Sequence, residues 1–347
     1  MQMLEHTTKV EILEKAINAF HEATGLSLQA ERTERRDPQR GNVNAVARLV
    51  TPGITKRFAV EIKRTVNPNN LGLVAEQVAR LPEPALLMAA YVNPNMAERL
   101  KQMKVFFLDT VGNAYLDIPP LFVYVKGQKP LLKPFEERPL RAFRPAGLKV
   151  IFALLCKQEL VNGPYRTLAE TTGVALGTVG RIFDDLEKLG YLLKLRERGR
   201  KLVQKERLLE RWVAAYPEQL RPKLVIGRYT APNRDWWKPA QIKLQQAYWG
   251  AEVAAARLTG YLKPAVVTIY ARGLPGKLLA AHQLRKDTRG NVEILKAFWN
   301  TDMDWTDKEI VHPLLVYADL LGTGDARNLE TARRLYDAQI AQFVRED

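Results

Sequence analysis

Residues 167–203, TLAETTGVALGTVGRIFDDLEKLGYLLKLRERGRKLV, contain the strongest structural signal in the chain. Thr167 followed by Glu170 is the capping-box pattern, which predicts that a helix begins at Thr167. Gly173 supplies a sharp turn, and the next segment, Leu176–Leu189, carries apolar residues at helical spacing on one face: Val179, Ile182, Phe183, Leu186 and Leu189. Two helices joined by a short turn with Gly predict a helix-turn-helix unit.

A β-hairpin is predicted directly after this helix pair. Tyr191–Leu195 has the composition of a strand, residues 196–201 (RERGRK) form a turn that contains Gly199, and Leu202-Val203 return. Upstream, Gly147–Cys156 (GLKVIFALLC) predicts a first helix. Three helices followed by a basic hairpin indicate a winged helix-turn-helix domain.

In such a domain the second helix of the pair enters the major groove of DNA by its amino-terminal end. The predicted groove-facing residues are therefore Gly177, Thr178, Gly180 and Arg181, of which Arg181 can form a bidentate pair with guanine. We expect the hairpin to contact phosphate, which gives register rather than sequence choice, through Arg196, Arg198, Arg200 and Lys201. The alternatives are that this domain docks a protein, or that its charges are merely solvated.

The distribution of charge favours DNA among these alternatives. The chain of 347 residues has a formal charge of +15, and residues 131–225 alone hold 19 basic and 11 acidic side chains, a net of +8. Proline-containing stretches flank this block and suit linkers. We therefore predict three domains, at 1–130, 131–225 and 226–347, and double-stranded DNA as the partner of the middle one.

Several other classes of protein are disfavoured by composition. Cys156 is the only cysteine and there are four histidines, so neither a disulfide nor a zinc finger is expected. The longest apolar stretch, Ala85–Val92, is far below the roughly 20 residues of a membrane helix. No apolar leader follows Met1. We expect a cytoplasmic protein without a membrane partner.

The first block has the pattern of a small α/β domain. An amphipathic helix over Lys9–Gly25 precedes two strands, Val43–Val50 and Phe58–Lys63. The remaining predicted elements are a helix around Leu71–Leu81, a buried strand Ala85–Val92, a helix Met96–Met103, and strands Val105–Leu108 and Leu121–Val125. Strands with a crossover helix predict a sheet with helices on its faces.

Glu61 and Lys63 are two residues apart on the second of these strands, so they share a face. A carboxylate and an ammonium group placed in this way can bind a divalent metal and stabilise charge on a phosphate. This pattern resembles the restriction-endonuclease-like nucleases, a resemblance that implies a supporting Gln at Gln77 and a helix carboxylate from Glu11 or Glu14. It also implies an Asp on the upstream strand, where this chain has Asn44. Since an amide is a poor Mg²⁺ ligand, we predict a degenerate, DNA-binding or dimerising domain without a cofactor, with a Mg²⁺-dependent endonuclease or resolvase as the alternative.

The last block mixes predicted helices and strands, an α+β pattern. We expect a helix over Ala240–Leu258, a strand Ala265–Ala271, and two more strands, Leu278–Leu284 and Val292–Phe298. Helices are predicted at His312–Leu321 and Leu329–Val344, with Asp325 and Asn328 as competent caps. Asp302-Met303-Asp304 is a potential Mg²⁺-binding pair, but an acidic solvated loop is favoured there. Trp236, Trp237 and Trp249 are expected in the core rather than stacked on bases.

Three runs in this block resemble the AbiEi-like antitoxins of type IV toxin–antitoxin systems. They are Gly250-Ala251-Glu252 with Thr259–Leu262 and Pro264, Gly290–Leu295 (GNVEIL), and His312–Leu321 (HPLLVYADLL) through Gly324–Ala332 (GDARNLETA). The resemblance implies a winged-helix repressor that binds its own operator and opposes a nucleotidyltransferase-like toxin. The first block departs from the simplest family pattern.

The leading hypothesis from the sequence is therefore a DNA-binding transcriptional regulator that resembles type IV antitoxins. Because operators are commonly palindromic, we expect a homodimer. Two other functions stay open: a metal-dependent nuclease that uses Glu61 and Lys63, and a protein-interaction module that neutralises a cognate toxin.

Overall fold

The computed structural model describes residues 2–31, 45–51, 53–68, 70–82, 84–130, 140–195, 199–242, 246–300 and 309–345. The chain divides into two units, residues 1–137 and 138–347. The predicted last block and the predicted middle block from residue 138 onward thus lie in the second unit together. No described helix is both long and apolar enough to cross a membrane.

The first unit is built from a mixed sheet with helices. Its elements are α1 (Gln2–Thr24), β1 (Ser27–Glu31), β2 (Ala45–Thr51), β3 (Ile54–Lys63), α2 (Leu71–Ala79), β4 (Ala85–Ala89), α3 (Pro94–Gln102), β5 (Phe107–Asp109), β6 (Ala114–Ile118) and β7 (Leu121–Val125). The described strands pair in the order β1-β2-β3-β4-β5-β6-β7. β3, β4 and β5 are parallel, and the other neighbours are antiparallel.

The core of this unit lies between α1 and one face of the sheet. Phe20 of α1 packs there with Phe58, Val60 and Ile62, alternate residues of β3. The intervening residue Glu61 therefore belongs to the opposite face. The predicted strand, crossover helix and strand are confirmed as β3, α2 and β4, whereas the sequence analysis missed β1 and β6.

The second unit begins with helices and a hairpin. A 3₁₀ turn, Arg141–Phe143, precedes α4 (Pro145–Cys156), and a second one, Gln158–Val161, precedes α5 (Tyr165–Thr172). There follow α6 (Leu176–Lys188), the hairpin strands β8 (Leu192–Leu195) and β9 (Gly199–Leu202), and α7 (Lys205–Gln219). The prediction that a helix begins at Thr167 was wrong by two residues, because Pro164 starts the helix and Tyr165 already packs on Phe183 with ring centroids 4.8 Å apart.

The rest of this unit is a second mixed sheet with helices. After a 3₁₀ turn, Arg221–Lys223, come β10 (Val225–Thr230), β11 (Ala247–Gly250), α8 (Ala251–Thr259), β12 (Val267–Ala271), α9 (Gly276–Ala281), β13 (Arg285–Lys286), β14 (Val292–Lys296), α10 (Pro313–Thr323), α11 (Ala326–Leu335), a π-helical turn (Tyr336–Ile340) and α12 (Ala341–Arg345). Its described strands pair in the order β11-β12-β14-β10-β13, with β12 and β14 parallel.

Two predicted elements of the last block are wrong. Ala240–Leu258 is not one helix, because residues 247–250 pair with β12 and Gly250 lies so close to Tyr270 that a Cβ there would be 2.6 Å from its ring. Leu278–Leu284 is not a strand but contains most of α9, which begins after Pro275. A short apolar run does not distinguish a strand from a helix, so tertiary packing decided both segments.

Candidate nucleic-acid interface

The helix pair α5–α6 has the geometry that its sequence predicts. Gly173 ends α5 in the left-handed conformation with φ 63°, which glycine adopts without strain. The predicted apolar face of α6 is confirmed for Val179, Ile182, Phe183 and Leu186, which are buried, whereas Leu189 is half-buried at the end of the helix. This burial fixes which side of α6 remains available to a partner.

The available side of α6 carries three of the four predicted groove-facing residues, whereas the fourth, Gly180, faces α5. Gly177 and Arg181 are exposed one helical turn apart, and Thr178 is half-buried beside them. Gly180 lies against the ring of Tyr165, at 3.6 Å from the position of a Cβ, so a larger side chain would press on α5.

Charge is distributed unevenly along α6. Arg181 is its only basic residue before the last turn, and the acidic residues Asp184, Asp185 and Glu187 occupy its second half. The amino-terminal end of a helix also carries a partial positive charge. A polyanion is therefore attracted to the first half of α6 and repelled by the second half.

The hairpin β8–β9 has two distinct faces. Leu192 pairs with Leu202 and Lys194 with Arg200, and these four residues share the face that packs toward the helices. The outer face carries three exposed residues: Leu193, its cross-strand partner Lys201, and Leu195.

Arg200 lies on the helix side of the hairpin. Its guanidinium carbon is 4.8 Å from the ring centroid of Tyr165 and 4.8 Å from that of Phe183. One of its Nη atoms donates a hydrogen bond to the carbonyl of Gly163 at 3.2 Å. Lys201 is exposed on the other face, and Arg196 and Arg198 lie outside the described residues.

Sequence analysis missed the residues that surround Arg200. Asn162 and Tyr165 carry no charge and belong to no DNA-binding pattern, and Lys194 lies in the predicted strand Tyr191–Leu195, outside the predicted turn that carries the phosphate contacts. Together with Leu195, Gly199 and Arg200, the side chains of Tyr165 and Lys194 line a cleft near the turn end of the hairpin strands. The only signal in the sequence was the proximity of aromatic and basic residues.

The second candidate site lies on the first unit. Glu61 and Lys63 share a face of β3, as predicted, and Lys63 Nζ is 2.8 Å from Glu61 Oε1. Gln77 is buried on α2, and its Oε1 has no hydrogen-bond partner among the described residues. Glu11 and Glu14 of α1 are both exposed, and Asn44 lies outside the described residues.

These residues do not supply a complete set of metal ligands. The described part of the chain contains no group of three His, Cys, Asp or Glu side chains that could hold a metal ion. A buried carboxylate, Asp109 at the end of β5, was missed by the sequence analysis. It accepts hydrogen bonds from the backbone of Val92, Val111 and Asn113, so it organises a loop rather than offering free ligand atoms. Asp302 and Asp304 lie outside the described residues.

The expectation that the tryptophans of the last block are core residues is confirmed for Trp236 and Trp249. Trp236 is 5% exposed and Trp249 is fully buried, and their ring centroids are 5.9 Å apart. Trp237 is half-buried beside them. The buried indoles of Trp236 and Trp249 are therefore unavailable for stacking on exposed bases.

A buried polar network connects α7 with the second sheet. The hydroxyls of Tyr216 and Tyr270 are 2.6 Å apart, and Tyr270 donates to Asp319 of α10 at 2.8 Å. Arg221 donates to the same carboxylate at 2.9 Å and pairs with Glu293 at 2.5 Å. Burial raises the pKa of Asp319, although Arg221 opposes that effect.

The pKa of Glu293 is lowered in this network, whereas that of Asp319 is raised. Burial of Glu293 raises its pKa, but Arg221 and Arg228 more than offset this, and the resulting pKa lies below the usual range. Burial also raises the phenol pKa of Tyr216 and Tyr270 well above normal, so both remain hydroxyl donors. The network therefore joins α7, the second sheet and α10 through polar groups that hydrogen-bond to one another.

The segment that contains this network also carries the likeness to known proteins. Residues 201–341 match the family model described as a transcriptional regulator, the AbiEi antitoxin of type IV toxin–antitoxin systems. No curated protein and no solved structure matches the chain. The AbiEi match extends from the second half of β9 into α12. It supports the resemblance expected from the carboxy-terminal motifs and suggests a transcriptional regulator of the antitoxin type.

Proposed function

We propose that the chain is a DNA-binding transcriptional regulator of the AbiEi antitoxin type, in which residues 140–202 act as a winged helix. One observation carries the proposal: α6 presents an exposed, basic first half next to a hairpin, and the segment that matches the family begins within that hairpin. In this arrangement α6 enters the major groove and the hairpin lies along the phosphate backbone.

Arg181 is the residue that reads a base in this proposal. It is exposed, lies on the same side of α6 as Gly177, and its planar fork matches the O6 and N7 acceptors of guanine. Gly177 and Thr178 allow the helix backbone to approach the groove closely. Lys201, together with Arg196 and Arg198 of the basic run at residues 196–201, would neutralise phosphates.

The test uses the duplex DNA immediately upstream of the gene for this chain, with binding measured at several salt concentrations. Arg181→Ala should weaken binding to this DNA by about 1–3 kcal/mol and reduce its preference over unrelated DNA. Lys201→Ala should reduce the slope of log K against log salt by about 0.9, the value for one phosphate contact. Arg234→Ala, an exposed arginine outside the helix pair and hairpin, is the matched control and should leave both quantities unchanged. Equal binding by all four proteins would refute the proposal.

A metal-dependent nuclease is the second candidate, and the unpartnered Oε1 of buried Gln77 is the observation that favours it. Labelled duplex DNA incubated with the protein in EDTA or in Mn²⁺ separates the two functions on denaturing gels. Metal-dependent fragments that disappear in Glu61→Ala and Lys63→Ala would establish cleavage. Intact, shifted DNA in both conditions is the result expected for a regulator.

The antitoxin part of the proposal implies a toxin protein as partner, and palindromic operators imply a homodimer. Co-purification of the chain with a protein encoded beside it, followed by rescue of cell growth, tests the first partner. Sedimentation of the free protein tests whether it is a homodimer. Failure to rescue growth while DNA binding persists would restrict the function to transcription.

A further inference from the structure

The hairpin β8–β9 is attached to the helices through three side chains, those of Asn162, Arg200 and Lys194, of which only Arg200 has a role predicted from the sequence. Asn162, in the loop before α5, forms hydrogen bonds with both the N–H and the carbonyl of Arg200. The Arg200 N–H donates to Asn162 Oδ1 at 2.6 Å, and Asn162 Nδ2 donates to the Arg200 carbonyl at 2.9 Å. The Asn162 side chain therefore makes two backbone hydrogen bonds of the kind that a neighbouring strand would make on this edge of β9.

Gly199 makes this close approach possible. Its φ of 74° is in the left-handed region, and a Cβ at this position would lie 2.4 Å from Asn162 Oδ1. Such a distance is shorter than van der Waals contact allows. The hydrogen bonds of the Asn162 amide to the start of β9 thus depend on the glycine at position 199.

The side chain of Arg200 makes a second attachment. Its guanidinium lies at the same distance, 4.8 Å, from the rings of Tyr165 in α5 and Phe183 in α6. A cation over aromatic faces is attracted by their quadrupoles, and the geometry requires a planar group. The hydrogen bond to Gly163 fixes the same guanidinium from the loop.

Lys194, the cross-strand partner of Arg200, makes a third attachment. Its Nζ is 2.6 Å from Glu187 Oε2 of α6. The helix-facing side of the hairpin is thus fixed to the loop at Asn162, to α5 and to α6. Since α6 is the helix proposed to enter the groove, these contacts set the angle between the groove-binding helix and the hairpin.

We infer that Asn162 and Arg200 are positioning residues, which hold the hairpin in its DNA-binding orientation before DNA arrives, and that Arg200 is not a phosphate contact. The inference rests on the proposed DNA binding. A hairpin that is already oriented loses little conformational freedom on binding, which raises affinity without adding a contact. The charge that faces outward from β9 is Lys201.

Replacement by lysine distinguishes this role from a phosphate contact. Arg200→Lys keeps the positive charge but loses the planar group and its fork of donors. A positioning role predicts that Arg200→Lys, Arg200→Ala and Asn162→Ala each weaken binding to the upstream duplex DNA about fivefold, the equivalent of about one hydrogen bond, with the salt slope of wild type. Lys201→Ala is the control, because it should reduce that slope by about 0.9.

Amide hydrogen exchange of the free protein supplies a readout that needs no DNA. The Arg200 amide donates directly to Asn162, so it should exchange at least fivefold faster in Asn162→Ala, and the amides of β9 should exchange faster in Arg200→Lys. Lys201→Ala should leave these rates unchanged. Circular dichroism confirms that each variant is folded.

Two results would overturn the inference. Wild-type affinity in Arg200→Lys, with a slope reduced by about 0.9 in Arg200→Ala, would make Arg200 a phosphate contact. Unchanged exchange at Arg200 in Asn162→Ala would show that the amide does not hold the hairpin. If the wild-type protein binds no duplex DNA, the proposed function fails, whereas faster exchange in the variants still supports the attachment of the hairpin.

Discussion

His312 gives the protein a stability that depends on pH in a calculable way. Its Nδ1 accepts a hydrogen bond from the N–H of Leu314 at 3.2 Å and so caps α10 as a neutral acceptor. Burial lowers the pKa of His312 from 6.5 to about 4. Between these two values the unfolded chain binds a proton that the folded chain does not, so stability falls as the pH decreases.

The size of this effect follows from the two pKa values. Each pH unit between them is worth about 1.4 kcal/mol, and at pH 4.5 about 2.5 kcal/mol of the free energy of unfolding should be lost relative to neutral pH. His312→Asn should abolish this contribution, because Asn is a good cap whose Oδ1 occupies the place of Nδ1 and does not titrate.

Urea unfolding at pH 7.5 and pH 4.5, followed by tryptophan fluorescence, measures the effect. All six tryptophans lie between residues 212 and 305, so the signal reports the second unit alone. Other titrating groups are common to both proteins and cancel in the comparison. Wild type should lose about 2.5 kcal/mol more than His312→Asn over this range. An equal loss in the two proteins would refute the argument.

Two further substitutions test the packing of the same unit. Arg221→Met leaves the buried carboxylate of Asp319 without its cation, and Glu293 with Arg228 alone, and should destabilise the protein by about 3–5 kcal/mol at pH 7.5. A loss below about 1 kcal/mol in the same urea assay would contradict the network. Gly199→Ala forces a Cβ into the left-handed region and against the amide of Asn162, so the hairpin amides should lose protection from hydrogen exchange while the tryptophan-monitored transition moves little. Unaltered protection would contradict the described geometry.

The helix pair and hairpin could be predicted because their signals are local. The apolar spacing of α6, the turn at Gly173 and the strand pair around Gly199 all lie within 40 residues. The face shared by Glu61 and Lys63 follows from strand alternation alone. In each case residues close together in the sequence determine the conformation.

The errors arose where distant contacts decide the conformation. Residues 247–250 are a strand because β12 pairs with them and Tyr270 leaves room only for glycine at position 250. The position of the Arg200 side chain depends on two aromatic rings from different helices, Tyr165 and Phe183, and its charge alone does not indicate this position. Asn162 carries no signal at all in a single sequence, since its function depends on the backbone of a residue 38 positions later.

The helix α7 explains why the proposed DNA-binding segment and the antitoxin-like segment belong to one unit. Trp212 stacks on Phe152 of α4 at 5.3 Å, and its Nε1 donates to the Leu148 carbonyl at 2.8 Å. One turn later Tyr216 stacks on Trp212 at 5.0 Å and reaches Tyr270 of the second sheet. Since a single helix is buried against both segments, its aromatic stack must break before they separate. The family match begins within the hairpin and includes α7, so the matched segment contains the helix that the proposed DNA-binding segment needs for its own core.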